Sequence, residues 1–391
     1  MTNEPIEVSI VMPCLNEAGS LPYCLSKAFS FLKDHKISGE VIVADNGSTD
    51  NSVTIAQAHH ARVIHESEKG YGNAIMAGIE NAKGRYIIVG DADDSYDFSN
   101  LLSFVKLLRQ GNDLVMGNRY KGGIKDGAMP KLHRYFGNPV LSFIGRLFFN
   151  TRIGDFNCGL RAIAKESYQK LDLKAAGMEF ASEMVVKAAL HKMKIAETPV
   201  TLFTDKRNRA SHLRTWQDGW RNLRFMLLYS PRWLFLLPGI FLMLLGFIGT
   251  SMLIAGPVRI GNKRLDVHTL IYTSGAILIG FQFISFYLFS RLYATVHGLW
   301  PEQEKLLQLF NKYFSLEKGI LCGILLFLAG ALLMFWSFFY WERSNFGNLN
   351  PMVVLRWVIP SMVLLVLGIQ VALSSFYLSY LTIKSRQKKN S

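Results

Sequence analysis

Apolar positions change their rhythm along this chain. Up to about residue 230 they come in short segments broken by charged and small residues, and beyond Trp233 they merge into four long runs. Residues 7–13, 40–45, 62–65 and 86–89 are apolar stretches of strand length, while 18–31 and 70–82 carry apolar positions at helical spacing. Strand and helix alternate four times with short connections. That order predicts an α/β domain whose mostly parallel sheet is covered by helices on both faces. Ligands bind such sheets beyond the carboxyl ends of the strands, and Pro13, Asp45, Asp91 and Asp93 all fall at that edge. The long runs lie at about 233–255, 269–290, 319–340 and 357–381, each near the ~20 residues of a spanning helix. The pattern therefore divides the chain into a soluble domain, residues 1–230, and a membrane domain of four spans, residues 231–391.

The apolar stretch 86–89 runs straight into Gly90-Asp91-Ala92-Asp93-Asp94-Ser95-Tyr96-Asp97, four carboxylates in seven residues. Like charges this close raise one another's pKa unless a cation sits between them. Two readings are open locally: a solvated turn that caps a helix starting near Phe98, or hard oxygen ligands for Mg²⁺ or Mn²⁺. The position at the sheet edge favours the second.

Residues 113–119 form a further expected strand that delivers Arg119 to its end. Residues 132–149 are apolar and aromatic, suiting either a packed helix or one lying on a membrane surface. A polar turn spans 155–161, and 179–193 read as an amphipathic helix that carries Glu183, with its polar side toward solvent. Residues 206–214 are basic without hydrophobic period, either a solvated loop or a phosphate clamp. Trp216 and Trp220 alternate with Arg221 and Arg224 just before the first long run, as at a bilayer interface.

Charge adds a partner class. Forty-three Lys and Arg against 29 Asp and Glu leave +14, which fits anionic lipid or phosphorylated substrates. The basic residues sit beside aromatics near the spans, without a nucleic-acid module, so nucleic acid is not expected as a partner. The four cysteines show neither metal spacing nor a disulfide framework and read as reduced, cytoplasm-facing thiols. No signal peptide precedes the first strand, so the soluble domain is expected to stay where it is made. The segments 291–318 and 384–391 carry four Lys/Arg each, against three in 256–268 and one in 341–352. That bias puts both termini of a multi-pass protein in the cytoplasm. Gly280-Phe281-Gln282 and Gly368-Ile369-Gln370 repeat in the second and fourth spans. Two similar hairpins are expected, joined by an amphipathic segment at about 292–316, with Gln282 and Gln370 packing helices together.

The motifs Val11-Met12-Pro13-Cys14-Leu15-Asn16-Glu17, Val43-Ala44-Asp45-Asn46-Gly47-Ser48-Thr49-Asp50 and Gly90-Asp91-Ala92-Asp93 together resemble a family 2 glycosyltransferase of the GT-A, Rossmann-like fold. Gly117-Asn118-Arg119, the 155–161 turn and the spans narrow the resemblance to the polyprenyl-phosphate glycosyltransferases, over roughly residues 6–230 and the first hairpin. The second hairpin departs from two-span bacterial members. The resemblance implies that Pro13, Asn16, Glu17 and Asp45 hold the nucleotide of a nucleotide sugar, with Gly70 and Gly72 letting backbone approach it. It implies that Asp91 and Asp93, with Ser95, hold Mg²⁺ or Mn²⁺. Asp155 matches a position near the sugar. Asp93, Asp155 and Arg119 are the residues expected to act in the reaction.

The implied acceptor is a polyprenyl phosphate, whose second pKa near ~6 leaves it mostly dianionic at neutral pH. It needs cations to orient it rather than a strong base, and Arg119, Arg134 and Arg209 are the candidates, supported by Lys206, Arg207 and Ser211. UDP-glucose is favoured as donor and GDP-mannose comes next; no single residue reads the difference. Two alternatives stay open. One is a processive polysaccharide synthase, although Trp216-Gln217-Asp218-Gly219-Trp220-Arg221 has the residues of its Gln-x-x-Arg-Trp motif in the wrong order. The other is a lipid-sugar translocator or scaffold, in which the extra hairpin serves a homo-oligomer.

Overall fold

The computed structural model describes residues 5–205, 215–296 and 315–387. Two compact units emerge, Met1–Tyr229 and Ser230–Ser391.

The first unit is built on a seven-stranded sheet. Its strands are β1 (Val8–Cys14), β2 (Gly39–Asp45), β3 (Arg62–His65), β4 (Tyr86–Val89), β5 (Leu114–Asn118), β6 (Arg161–Ala164) and β7 (Ile195–Pro199), in the order β3-β2-β1-β4-β6-β5-β7. Only β6 runs against its neighbours, pairing antiparallel with β4 and β5. The helices are α1 (Leu21–Asp34), α2 (Ser52–Ala58), α3 (Tyr71–Glu80), α4 (Leu102–Arg109), α5 (Arg119–Gly122), α6 (Asn138–Phe149), α7 (Lys165–Leu171), α8 (Phe180–Leu190) and α9 (Thr215–Leu228).

The two-residue period of the strands sends alternate side chains to opposite faces. Val8, Ile10 and Met12 of β1 join Leu25, Phe31, Phe104 and Leu108 of α1 and α4 in one core. Val11, between them, joins Ile75, Ile79, Met184 and Val185 of α3 and α8 in the other. With both faces covered, β4 is buried at every position, which is why it reads as an unbroken apolar run.

Two expectations about helices are corrected. The helix after the acidic turn starts at Leu102 rather than near Phe98, because Phe98 is wholly buried in the first core. Helix α8 is not amphipathic: every residue from Phe180 to Ala188 is buried, Glu183 and Lys187 included. Those two form an internal ion pair at 2.9 Å, so neither needs solvent. Ahead of α6, His133–Gly137 make a π-helical turn. This stretch keeps Ser142, Gly145 and Phe149 buried but leaves Tyr135, Phe136, Phe143 and Leu147 exposed.

The second unit holds four helices long and apolar enough to cross a membrane. They are α10 (Leu237–Ala255), led by a π-helical turn at Arg232–Leu236, α11 (Val267–Val296), α12 (Leu316–Glu342) and α13 (Pro351–Gln387). A short hairpin, β8 (Val258–Ile260) with β9 (Lys263–Leu265), fills the first connection. The sequence repeat acquires a physical meaning here. A Cβ on Gly280 would lie 2.8 Å from the Gly239 carbonyl oxygen, and one on Gly368 would lie 2.7 Å from that of Gly323. Each glycine thus lets the two helices of its own hairpin meet. The glutamine two residues on reaches across hairpins, Gln370 Nε2 donating to Gln282 Oε1 at 3.4 Å, as helix packing requires. Arg356 adds an ion pair to Asp266, which also pairs with Arg264 at 3.1 Å. Residues 292–296 of the expected amphipathic connector belong to α11, and 297–314 lie outside the described residues.

Candidate active site

The buried strand β4 ends in a tightly held acidic turn. Ser95 N–H donates to Asp93 Oδ1 at 3.0 Å, and Ser20 Oγ donates to the Ala92 carbonyl at 2.8 Å. Asp94, at φ +60°, turns to Lys27 and pairs with it at 2.7 Å, which gives this extra carboxylate a structural role. Asp91, Asp93 and Ser95 line a cavity of about 660 Å³ that lies wholly within the first unit. The Tyr71 hydroxyl donates to Asp91 Oδ1 at 2.8 Å from the same cavity wall.

The cavity combines charged residues with many apolar ones in its lining. Arg119, delivered by β5 and held as α5 opens under the Asn118 cap, lines it. Its guanidinium donates twice to Asp155, Nε to Oδ2 at 2.6 Å and Nη2 to Oδ1 at 2.7 Å. Asp155 is 0 % exposed and is set in place by Glu197, whose Oε1 accepts from the amides of Gly154 and Asp155. The two residues assigned separately to phosphate and sugar are thus one buried pair. Burial works against the Arg119 charge, but the Asp155 carboxylate, among other neighbours, outweighs it and holds the guanidinium well above its usual range. The apolar walls include Met129, Leu132, Phe136, Leu141, Trp220 and Leu223.

Arg161 is a site residue that sequence reasoning missed. It is only 2 % exposed yet lines the cavity, donating to the carbonyls of Ala181 and Cys158. Among the described residues no carboxylate pairs with it. A buried guanidinium held by neutral carbonyls favours an anionic ligand beside it. The only hint in the sequence was its place at the end of the 155–161 turn.

The expected nucleotide residues occupy the adjacent strand ends. Pro13 lies in β1 opposite Ala44. Asn16, at φ +59°, ties the two strand-end loops together, its Oδ1 accepting from the Thr49 and Asp50 amides. Glu17 is buried and donates its amide to Ser52 Oγ. Asp45 accepts from the Gly47 and Ser48 amides and contacts His65 Nδ1 at 3.3 Å. Burial pushes the Asp45 carboxyl up, but the bonds from Ser48, His65 and Gly47 win and hold it below the usual carboxylate range. None of these residues lines the cavity, and neither do Gly70 and Gly72. Those two glycines are accounted for by packing: an added Cβ would lie 2.3 Å from Ala176 O at Gly70 and 2.0 Å from Ala175 O at Gly72. Arg134 is half-buried with its guanidinium over the Tyr135 ring; its neighbours His133 and Leu132 line the cavity and it does not. Lys206, Arg207, Arg209 and Ser211 lie outside the described residues.

The donor set suits a hard divalent cation. Asp91, Asp93 and Ser95 bring only oxygen to the cavity, and no cluster of three His, Cys, Asp or Glu forms among the described residues. Such a set fits Mg²⁺ or Mn²⁺ that completes its shell with substrate phosphate oxygens, and it does not fit a closed zinc site.

Residues 9–172 match the family model for glycosyl transferase family 2, and residues 288–382 match that for the family 2 C-terminal transmembrane region. The low-salt glycan biosynthesis hexosyltransferase Agl6 of Haloferax volcanii is 36 % identical over 376 residues, covering 96 % of this chain and 89 % of that protein. Glycosyltransferase AglJ of the same organism is 26 % identical over 302 residues, covering 75 % and 95 %. Glucosyl-3-phosphoglycerate synthase from Mycobacterium tuberculosis superposes with a TM-score of 0.46 at 20 % identity, over 57 % of this chain and 80 % of that one. That likeness is too distant to carry anything to the site. The chain belongs to glycosyltransferase family 2. The second hairpin falls inside the matched C-terminal transmembrane region.

Proposed function

We propose that this glycosyltransferase moves a hexose, with inversion, from a nucleotide sugar to a polyprenyl phosphate at the cytoplasmic membrane face. The observation that carries this reading is the single cavity in which Asp91, Asp93, Arg119 and Arg161 meet a long apolar wall. An acceptor with an anionic head and a hydrocarbon tail matches both kinds of lining. The exposed Tyr135, Phe136, Phe143 and Trp216 around the same stretches suit burial in a bilayer surface. The hexosyltransferase name of the Haloferax volcanii relative supports a hexose.

In this mechanism a phosphate oxygen of the lipid attacks the anomeric carbon while the bond to the nucleoside diphosphate breaks. The dianionic acceptor is its own nucleophile. Arg119 and Arg161 orient its phosphate, and Asp155 keeps Arg119 in a fixed fork. Asp45, Asn16 and Glu17, at the ends of the neighbouring strands, are assigned to the nucleoside end of the donor. Asp91, Asp93 and Ser95 would hold Mg²⁺ or Mn²⁺, which stabilises charge on the departing diphosphate. UDP-glucose is the favoured donor, ahead of GDP-mannose.

The test is a donor screen with purified full-length protein, short polyprenyl phosphates and either metal. An organic-soluble sugar lipid is the expected product. Asp93→Ala should cut turnover at least about 100-fold, since charge-stabilising groups of this kind are worth several kcal/mol. Product recovered as polymer, or full turnover in Asp93→Ala, overturns the reading.

A further inference from the structure

Glu183 lies far in sequence from Gly70-Tyr71-Gly72 but acts on the same piece of structure. Glu183, 2 % exposed on α8, accepts from the amides of Lys174 at 3.0 Å and Ala175 at 2.8 Å. Lys187 braces it at 2.9 Å and also donates to the Asp172 carbonyl. The backbone of 172–176 is thereby fixed against α8. Onto that backbone sits the start of α3: the amides of Gly72 and Asn73 both donate to the Ala176 carbonyl, at 2.8 and 3.3 Å. The contact is close enough to exclude a side chain at either glycine, and Gly70 at φ +151° lies in the region glycine favours. Tyr71 is the residue held between the two glycines, and its phenol reaches across the cavity wall to Asp91.

We infer that Tyr71 is a positioning residue for Asp91 and that Glu183, acting through the 174–176 backbone, positions Tyr71. The phenol O–H is the donor and Asp91 Oδ1 the acceptor, at 2.8 Å. One carboxylate oxygen of Asp91 is pinned, which restricts the rotation of the whole group. Removing the hydrogen-bond partner of a metal-ligating group typically costs about 10- to 100-fold in metal affinity. The inference rests on the reading of Asp91 and Asp93 as a divalent-cation site.

The experiment measures Mn²⁺ binding by electron paramagnetic resonance on the full-length protein in detergent, without substrate. Tyr71→Phe keeps the ring and should weaken Mn²⁺ about tenfold while leaving the melting temperature within about 2 °C. Glu183→Gln should weaken it by a smaller factor. The double variant should lose no more than Tyr71→Phe alone, because the two act in series. Additive losses, or an unchanged affinity in Tyr71→Phe, overturn the inference. Asp93→Ala separates the two failures: if it abolishes Mn²⁺ binding while Tyr71→Phe is silent, only the positioning role falls. If Asp93→Ala is silent as well, the cation site itself is wrong.

Discussion

Asp45 illustrates how local hydrogen bonding shapes single residues in this protein. Its carboxylate accepts from two backbone amides and is held below the usual range despite its burial. A depressed carboxyl contributes stability above its unfolded pKa of about 4, and that contribution disappears as pH falls through the lower folded value. Asp45→Asn should therefore be less stable than the parent at pH 7, with the gap closing below about pH 4. Melting curves in detergent across that range check the sign; a gap independent of pH would contradict it. Arg161 makes the opposite point. Nothing in its immediate sequence distinguishes it from a surface arginine, yet it lines the cavity, and among the described residues its guanidinium donates to two backbone carbonyls.

Elements were legible in proportion to how local their causes are. The strand 62–65 and the strand 86–89 stand where the pattern puts them; the second is buried at every position, and a strand buried on both faces needs a continuous apolar run. Helix α8 was misread because Glu183 and Lys187, four apart, mimic a solvent face. What they satisfy is the backbone of the loop that leads into the helix, at Asp172, Lys174 and Ala175. The stretch at 132–149 had two readings, and the observed helix combines them, with Phe149 in the core and Phe143, 55 % exposed, outside it. Replacing Phe143 and Leu147 by Ser should leave the fold intact, since both are exposed. Transfer to acceptor in vesicles should fall severalfold, while transfer to short acceptor in detergent should hold, a contrast expected of an interfacial face. Equal losses in both assays would remove the helix from membrane contact.

At the scale of the whole molecule, the membrane unit is two glycine-packed hairpins tied by the Gln282–Gln370 contact and the Arg356–Asp266 pair. The short β8–β9 hairpin was not foreseen, since each strand is only three residues and the Val-Arg-Ile and Lys-Arg-Leu runs are too short for a period to show. With cytoplasmic termini, that hairpin lies on the far side of the membrane. A cysteine placed at Asn262 should then react with an impermeant maleimide added from outside, whereas one at Asn150 should react only after permeabilisation. The reverse pattern would invert the topology and move the proposed reaction to the other face.

The sequence alone determined that the chain begins as an α/β domain and continues as four spans, and it placed an acidic turn and an arginine at strand ends. Those features follow from periodicity and local turn chemistry, which act over a few residues. The tertiary structure decided the partnerships: Arg119 with Asp155, Tyr71 with Asp91, Glu183 with the amides of 174 and 175, and Arg161 in the cavity. Each depends on strand β6 entering antiparallel between β4 and β5 or on a loop settling against α8. These pairings join residues from 8 apart, for Glu183 and Ala175, to 36 apart, for Arg119 and Asp155, and the alternation of apolar and polar positions carries no record of which side chains will meet.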